Sequence, residues 1–148
     1  MTEKQVITRW IFLCMRKRPD TLVFPNVFIG AYEADILEIT KSGYAHEFEV
    51  KLSRSDFKTD ADKGTKYRHH FKHSLLQEGR HVNTFSYVVP KNMISVEECP
   101  EWAGLIYFEH DHFYVIKKAR RLCSEKHGDR IKEKCLLSTY YRFHKYFK

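Results

Sequence analysis

Apolar residues recur every three or four positions at the start of the chain and then alternate with polar residues, which predicts a helix followed by strands. The helix covers residues 2–17, with Thr2 and Gln5 in a capping-box pattern and a proline beyond its last turn. Residues 22–29 are predicted to be extended, with an interruption at Pro25. Two further strands follow, one on each side of a turn at residues 41–44.

The second half of the chain continues with helix and strand patterns. Residues 53–63 read as a polar connection, 64–78 as a helix that ends at Gly79, 83–89 as a strand, and 104–109 and 112–117 as a hairpin. A basic helix is expected from about residue 118 to the end. The rows predicted to face inward are Tyr67, Phe71, Leu75 and Glu78 on one helix, and Leu136, Tyr140, Phe143 and Phe147 on the other. This order predicts a single α/β domain over residues 1–148, with a mixed central β-sheet flanked by helices.

Composition is typical of a globular protein of 148 residues, with 43% hydrophobic residues. No apolar run approaches the roughly 20 residues that span a bilayer, and the start lacks the basic-then-apolar order of a secretion signal. The four cysteines are scattered without a C-x-x-C pair, which favours reduced thiols over a pair of disulfides. These features predict a cytoplasmic protein that does not enter a membrane.

The positive charge is concentrated at the end of the chain. The net charge is +7, and residues 117–148 hold eleven Lys or Arg residues against three acidic residues, so this segment carries the whole excess. A cationic segment of this kind favours nucleic acid as the partner, with a solvated helix surface as the alternative.

The candidate chemistry lies on the two strands around the turn at 41–44. Alternation places Glu49 and Lys51 on one face of their strand, beside Asp35 on the neighbouring strand. Asp35, Glu49 and the carbonyl of Val50 are the hard oxygen ligands that Mg²⁺ prefers, and Lys51 would orient a water or stabilise charge on a phosphate. The alternative is a charged strand surface, because a second acid-x-Lys triplet occurs at Asp56-Phe57-Lys58.

Asp35, the turn and Glu49-Val50-Lys51 together resemble the core signature of the PD-(D/E)xK nuclease superfamily, with Ala34 in place of the proline. The continuation E-V-K-L-S-R-S-D-F is similar to small members associated with DNA repair and phages. The segments 85–90 and 104–107 resemble the strands that follow the central helix in those proteins, so the likeness covers about residues 30 to 118. The resemblance implies a restriction-endonuclease-like core and a DNA nuclease that uses Mg²⁺, or Mn²⁺ in its place.

The predicted DNA contacts are basic residues and a histidine after the motif strands and on the last helix. They are Arg54, Lys58, Lys63, Lys66, His70, Lys132, Arg142 and Lys145. Two alternatives remain open: a non-catalytic DNA-binding module with a nuclease-like fold, and a junction-cleaving homodimer.

Other groups of ligand-type residues have weaker patterns. His69 and His73 have a helical zinc spacing, but a surface helix is favoured. The sequence His110-Asp111-His112 is interpreted as a hairpin turn. A zinc site at Cys123, His127 and Cys135 would need a fourth ligand.

Several acidic residues near the motif were also considered. Glu33 and Glu47 are predicted to be strand-surface acids, with binding of a second metal as the alternative. Glu3 is the one helix acid that is a candidate for the site. Asp56 and Asp60 are predicted to cap the turn after the motif strand.

Overall fold

The computed structural model describes residues 1–30, 32–62 and 68–146, with the backbone alone for 61, 62 and 68–71. Six strands and four helices lie within these ranges. They are α1 (Glu3–Lys17), β1 (Leu22–Phe28), β2 (Glu33–Ile39), β3 (Ala45–Val50), α2 (Arg54–Asp62), α3 (Arg68–Gln77), β4 (Thr84–Pro90), β5 (Gly104–Glu109), β6 (His112–Lys117) and α4 (His127–Lys145).

The strands form one mixed sheet in the order β1-β2-β3-β4-β5-β6. The pairs β1–β2, β2–β3 and β5–β6 are antiparallel, whereas β3–β4 and β4–β5 are parallel. The parallel pair β3–β4 requires a crossover connection, and α2 and α3 belong to it. The predicted α/β fold with a mixed central sheet is therefore confirmed.

The two faces of the sheet have separate hydrophobic cores. On one face α1 packs with Val6 and Trp10 against Ile36 and Val88. On the other face a larger core contains Leu37 and Phe85 of the sheet, together with residues of α2, α3 and α4. Charged side chains that point from β2 and β3 toward the second core are therefore covered by helices.

Local signals for α1 and the turns were correct. The Thr2 hydroxyl accepts a hydrogen bond from the Gln5 N–H and the Gln5 side chain accepts one from the Thr2 N–H, which completes the capping box. Gly79 follows α3 with a φ of +67°, a conformation that favours glycine. His110 and Asp111 form the predicted turn between β5 and β6.

Three sequence predictions about helices are wrong. The connection 53–63 contains helix α2, which Ser53 caps by accepting a hydrogen bond from the Asp56 N–H at 3.1 Å. The last helix begins at residue 127 rather than near 118. Leu136, Tyr140 and Phe143 of its predicted inward row are exposed, Phe147 lies outside the described residues, and the residues that pack inward are Ile131 and Cys135.

The inward row of α3 is also shifted by one residue. Lys72 and Leu76 are buried, whereas Glu78 is exposed. Gly64 to Tyr67, the predicted start of this helix, lie outside the described residues. Among the helices that the structure describes, none is long and apolar enough to cross a membrane.

Candidate active site

The β2–β3 hairpin brings Asp35 beside Glu49 on the neighbouring strand. Leu37 pairs with Glu47, so alternation along β3 directs Glu47 and Glu49 toward the second core. Asp35 Oδ2 accepts a hydrogen bond of 2.9 Å from the Val50 N–H, just beyond the last paired residues. The predicted neighbourhood of Asp35 and Glu49 is present.

Lys51 follows β3 and remains beside Glu49. Its N–H donates to the Val88 carbonyl at 3.0 Å, which holds the backbone against β4. Its ammonium Nζ lies 3.2 Å from Glu49 Oε1 and 3.5 Å from Asp60 Oδ1. The side chain is 18% exposed, so it borders the solvent while its charge faces two carboxylates.

A second lysine reaches the same carboxylates from α3. Lys72 Nζ lies 3.2 Å from Glu49 Oε2 and 3.3 Å from Glu47 Oε1. It also lies over the rings of Tyr32 and Phe85, with Nζ 4.7 Å and 5.5 Å from the ring centroids. Both oxygens of Glu49 therefore face an ammonium group, one from each lysine.

Asp60 on α2 connects Lys51 to the core. Its Oδ2 accepts a hydrogen bond of 2.9 Å from the Tyr87 hydroxyl and lies 3.2 Å from His73 Nε2. Oδ1 faces Lys51. The predicted role of Asp60 as a turn cap is wrong, because its carboxylate points into the site.

Glu47 is fully buried, so its interpretation as a strand-surface acid is also wrong. Its Oε2 is 3.3 Å from the Tyr32 hydroxyl. Within the part of the chain that the structure describes, its Oε1 has no hydrogen bond, since the approach of Lys72 lacks hydrogen-bond geometry. The acid Glu33, in contrast, is exposed and accepts a bond from Asn26.

Burial and like charge oppose ionisation of two of these acids. Burial raises the pKa of Asp35 to about 6; the Val50 N–H opposes this rise and Glu49 adds to it. Burial raises the pKa of Glu47 to about 7, although Lys72 opposes the rise. Clustered acids with raised pKa values are typical of functional sites.

The two lysines keep their charge in this environment. Burial alone would lower the pKa of each, but carboxylates outweigh it: Glu49 and Asp60 for Lys51, and Glu47 and Glu49 for Lys72. Both pKa values are therefore raised. Burial would raise the pKa of Asp60, but its bond with His73 and the charge of Lys51 lower it. Lys51 therefore supplies a positive charge to the site and is not available as a base.

The cluster opens to solvent through a pocket of about 270 Å³. Val50, Lys51 and Asp60 line it on the side of the cluster. Glu3, the helix acid considered from the sequence, lines the pocket from α1, and Asp56 lines it from α2. The pocket therefore gives solvent and small polar groups access to Lys51.

The predicted DNA contacts have different positions. Lys58, Lys132 and Lys145 are exposed on helices. Arg54 pairs with Glu98 at 2.8 Å and bonds the Met93 carbonyl, and so has a structural role. Lys63 and Lys66 lie outside the described residues, as does the side chain of His70.

Arg142 of α4 is half-buried and bonds the main-chain carbonyls of Pro25, at 2.7 Å, and Asn26. It fastens the end of α4 to β1. Its assignment as a phosphate contact is therefore not supported by its surroundings.

The zinc ligands considered from the sequence, Cys123, His127 and Cys135, do not all come together in the structure. Cys135 is buried in the core, and Glu125 lies in its place, with ligand atoms of the three residues within 4.8 Å of one another. However, the two ring nitrogens of His127 already contact the Gly79 carbonyl and Arg130. His73 contacts Asp60 of the acidic cluster, and the side chain of His69 lies outside the described residues.

No family model matches the sequence, and no curated protein matches it. A solved structure of a protein of unknown function from Silicibacter pomeroyi is similar to it, with a TM-score of 0.71. The similarity covers 97% of this chain and 90% of that chain at 15% identity. It shows a shared fold.

Proposed function

We propose that the protein is a Mg²⁺-dependent nuclease that hydrolyses DNA phosphodiester bonds, with a core like that of the PD-(D/E)xK nucleases. The observation that carries the proposal is the position of Asp35 beside Glu49 on adjacent strands, with Lys51 Nζ 3.2 Å from Glu49. Two carboxylates beside an ammonium group suit a metal ion next to a phosphate.

The residues fit a hard divalent cation. The cluster has four carboxylates, Asp35, Glu47, Glu49 and Asp60, and two ammonium groups, Lys51 and Lys72. When all six are ionised the formal balance is −2, which one divalent cation would neutralise. Burial is the main cause of the raised pKa values of Asp35 and Glu47, and the charge of Glu49 adds to both rises. Together with the Glu47 oxygen that has no hydrogen bond among the described residues, this repulsion supports incomplete compensation of the negative charge.

Asp35, Glu49 and the carbonyl of Val50 would hold the ion. When bound, it would polarise the phosphoryl oxygen and make water easier to deprotonate. Lys51 supports the reaction with a fixed positive charge, since an ammonium at the pocket stabilises charge that develops on the phosphate. Asp60 holds Lys51 in place, and Tyr87 and His73 hold Asp60.

Lys72 has a positioning role in this proposal. It lies between Glu47 and Glu49 and reduces their mutual repulsion, so Glu49 keeps its orientation. Exposed Lys58 on α2 and exposed Lys132 and Lys145 on α4 would contact the phosphate backbone, with a grip that weakens as salt rises.

The test is a cleavage panel of linear, nicked, flapped, junction and single-stranded DNA with Mg²⁺, Mn²⁺ or a chelator. We expect cleavage only with a divalent ion. Lys51→Ala should reduce the rate by about 100-fold or more, since it removes charge stabilisation at the reacting phosphate. Lys91→Ala is the matched control, because Lys91 is an exposed lysine that pairs with Glu109 on the surface.

Two results would contradict the proposal. One is DNA binding without cleavage of any substrate, which would favour a non-catalytic DNA-binding module. The other is equal activity of Lys51→Ala and Lys91→Ala, which would place the chemistry elsewhere.

A further inference from the structure

Helix α4 presents a row of large apolar side chains to solvent. Leu136, Tyr140 and Phe143 are 45%, 59% and 61% exposed, and Tyr146 after the helix is 86% exposed. Tyr140 lies about half a turn around the helix from the inward Ile131. We call Leu136, Tyr140, Phe143 and Tyr146 the α4 platform. A continuous exposed row of this kind marks an interaction surface.

The charge around the α4 platform indicates its partner. Exposed Lys132 and Lys145 lie on the same helix, within a segment of eleven basic and three acidic residues. A second copy of the chain would bring the same positive charge to the contact and would be repelled. Single-stranded nucleic acid offers the complementary chemistry, since its bases stack on aromatic rings and its phosphates pair with lysines.

The position of α4 connects the platform to the acidic cluster. Arg142 bonds the carbonyls of Pro25 and Asn26 on β1. Pro25 pairs with Ile36 and Val27 with Ala34, so Asn26 lies across from Asp35. This end of α4 therefore contacts β1, the strand next to that of Asp35. Since adjacent strands are about 4.8 Å apart, the contact lies roughly 10 Å from β3.

The platform and the acidic residues also belong to the same side of the sheet. Ile131 and Cys135 of α4 enter the core that contains Leu37, and Glu47, the partner of Leu37 on β3, lies on that face together with Glu49. A strand of nucleic acid that follows the helix toward Tyr146 would therefore approach the cluster without crossing the sheet.

We propose that the α4 platform binds single-stranded DNA and directs it to the site of Asp35, Glu49 and Lys51. The inference rests on the proposed nuclease function and narrows its substrate to DNA with a single-stranded segment, such as an overhang or a flap. The aromatic rings supply stacking and the lysines supply the phosphate contacts.

The experiment measures binding of the full-length protein to fluorescent oligo-dT and to a duplex of equal length, by anisotropy in chelator. The variant is Tyr140→Leu with Tyr146→Leu, which keeps apolar area but removes both rings. The control is Tyr114→Leu, since Tyr114 is a 48% exposed tyrosine on β6 at the other edge of the sheet. We expect the platform variant to lose at least about tenfold in oligo-dT affinity, because stacking contributes about 1–3 kcal/mol per base. Its affinity for the duplex should change no more than that of the control Tyr114→Leu.

Equal oligo-dT affinity of the wild type, the variant and the control would overturn the inference. So would a wild-type dimer, seen by sedimentation, that Tyr140→Lys dissociates, because a second copy would then cover the platform. Binding in chelator is independent of hydrolysis. If the variant loses binding but the wild type cleaves no DNA, the nuclease proposal is contradicted and binding by the α4 platform is supported. If the wild type cleaves DNA but the variant binds oligo-dT as well as the wild type does, the platform proposal is contradicted and the nuclease proposal is supported.

Discussion

The two faces of the sheet each bury glutamates, but they neutralise them in different ways. On the α1 face, Glu38 accepts three hydrogen bonds of 2.7 Å, one from Trp10 and two from Arg18. On the opposite face, the contacts of Glu47 and Glu49 with Lys51 and Lys72 are 3.2–3.3 Å long.

The difference distinguishes a structural ion pair from a site with capacity for a further ligand. Both oxygens of Glu38 are saturated by a planar guanidinium and an indole, a bidentate geometry that leaves no place for another cation. The ammonium groups around Glu49 are point charges shared among several acids. A buried acid is thus informative about function only when its partners leave charge uncompensated.

The largest expected effect concerns catalysis. Glu49→Gln should reduce DNA cleavage by about 100-fold or more, because it would remove a carboxylate of the proposed metal site, whereas Glu38→Gln should keep the rate per folded molecule. Initial rates at saturating Mg²⁺, corrected for the folded fraction by circular dichroism, measure this contrast. Equal losses in the two variants would remove the distinction between the two faces.

Metal binding should separate the faces next. Mg²⁺ or Mn²⁺ should raise the melting temperature of the wild type and of Glu38→Gln, with a stabilisation of about 2.7 kcal/mol at 100 times the Kd. Asp35→Asn should lose the rise. Cys123→Ser is the control for the cluster of Cys123, Glu125 and His127, and loss of the rise in this variant instead would assign the ion there.

The stability of the fold should depend more on Glu38 on the α1 face than on Glu47 on the opposite face. Glu38→Gln should lower the free energy of unfolding by about 2 kcal/mol, since it weakens charge-assisted bonds to Arg18. Glu47→Gln should change it by less than about 1 kcal/mol at pH 7, because burial already disfavours the charged Glu47. Urea unfolding of both variants decides the ranking, and a larger loss in Glu47→Gln would reverse the structural assignment.

The last expected effect is on the pH dependence of stability. Folded Glu47 holds its proton up to about pH 7, whereas the unfolded residue releases it near pH 4, so stability falls as pH rises through this window. The pKa values of the half-buried His46 and His81, which burial lowers, act in the opposite direction. The quantity to measure is therefore the difference between Glu47→Gln and wild type in urea unfolding from pH 5 to 8. The free energy of unfolding of Glu47→Gln should rise relative to that of the wild type as the pH increases. A difference that stays constant with pH would contradict the raised pKa of Glu47.

The strand part of the candidate site was predictable because it is local. Asp35, Glu49 and Lys51 lie on one hairpin, where alternation decides which side chains share a face. Asp60 and Lys72 were missed because they belong to the connection between β3 and β4, whose packing no local pattern determines. Because lysine is polar, an apolar periodicity does not include Lys72, and the buried row of Lys72 and Leu76 is not predicted from it.

The orientation of α4 was mistaken for a related reason. The helix has two competing rows, and the one with more aromatic residues was predicted to pack inward. The orientation is instead determined by the close approach of the first turn of α4 to the sheet. A Cβ on Gly128 would lie 2.6 Å from Ile39, so this turn contacts the sheet through its glycine. This contact puts Ile131 and Cys135 in the core and turns Tyr140 outward.

The parallel pairing of β3 with β4 has a consequence for the order of folding. The β2–β3 hairpin closes over a short turn, whereas the β3–β4 pair must bring together residues separated by two helices, at a higher cost in loop entropy. We expect Asp35 and Glu49 to meet early and Lys72 and Asp60 to join them only when β4 docks. The acids of this protein would then spend part of each folding event without their lysines, still open to water.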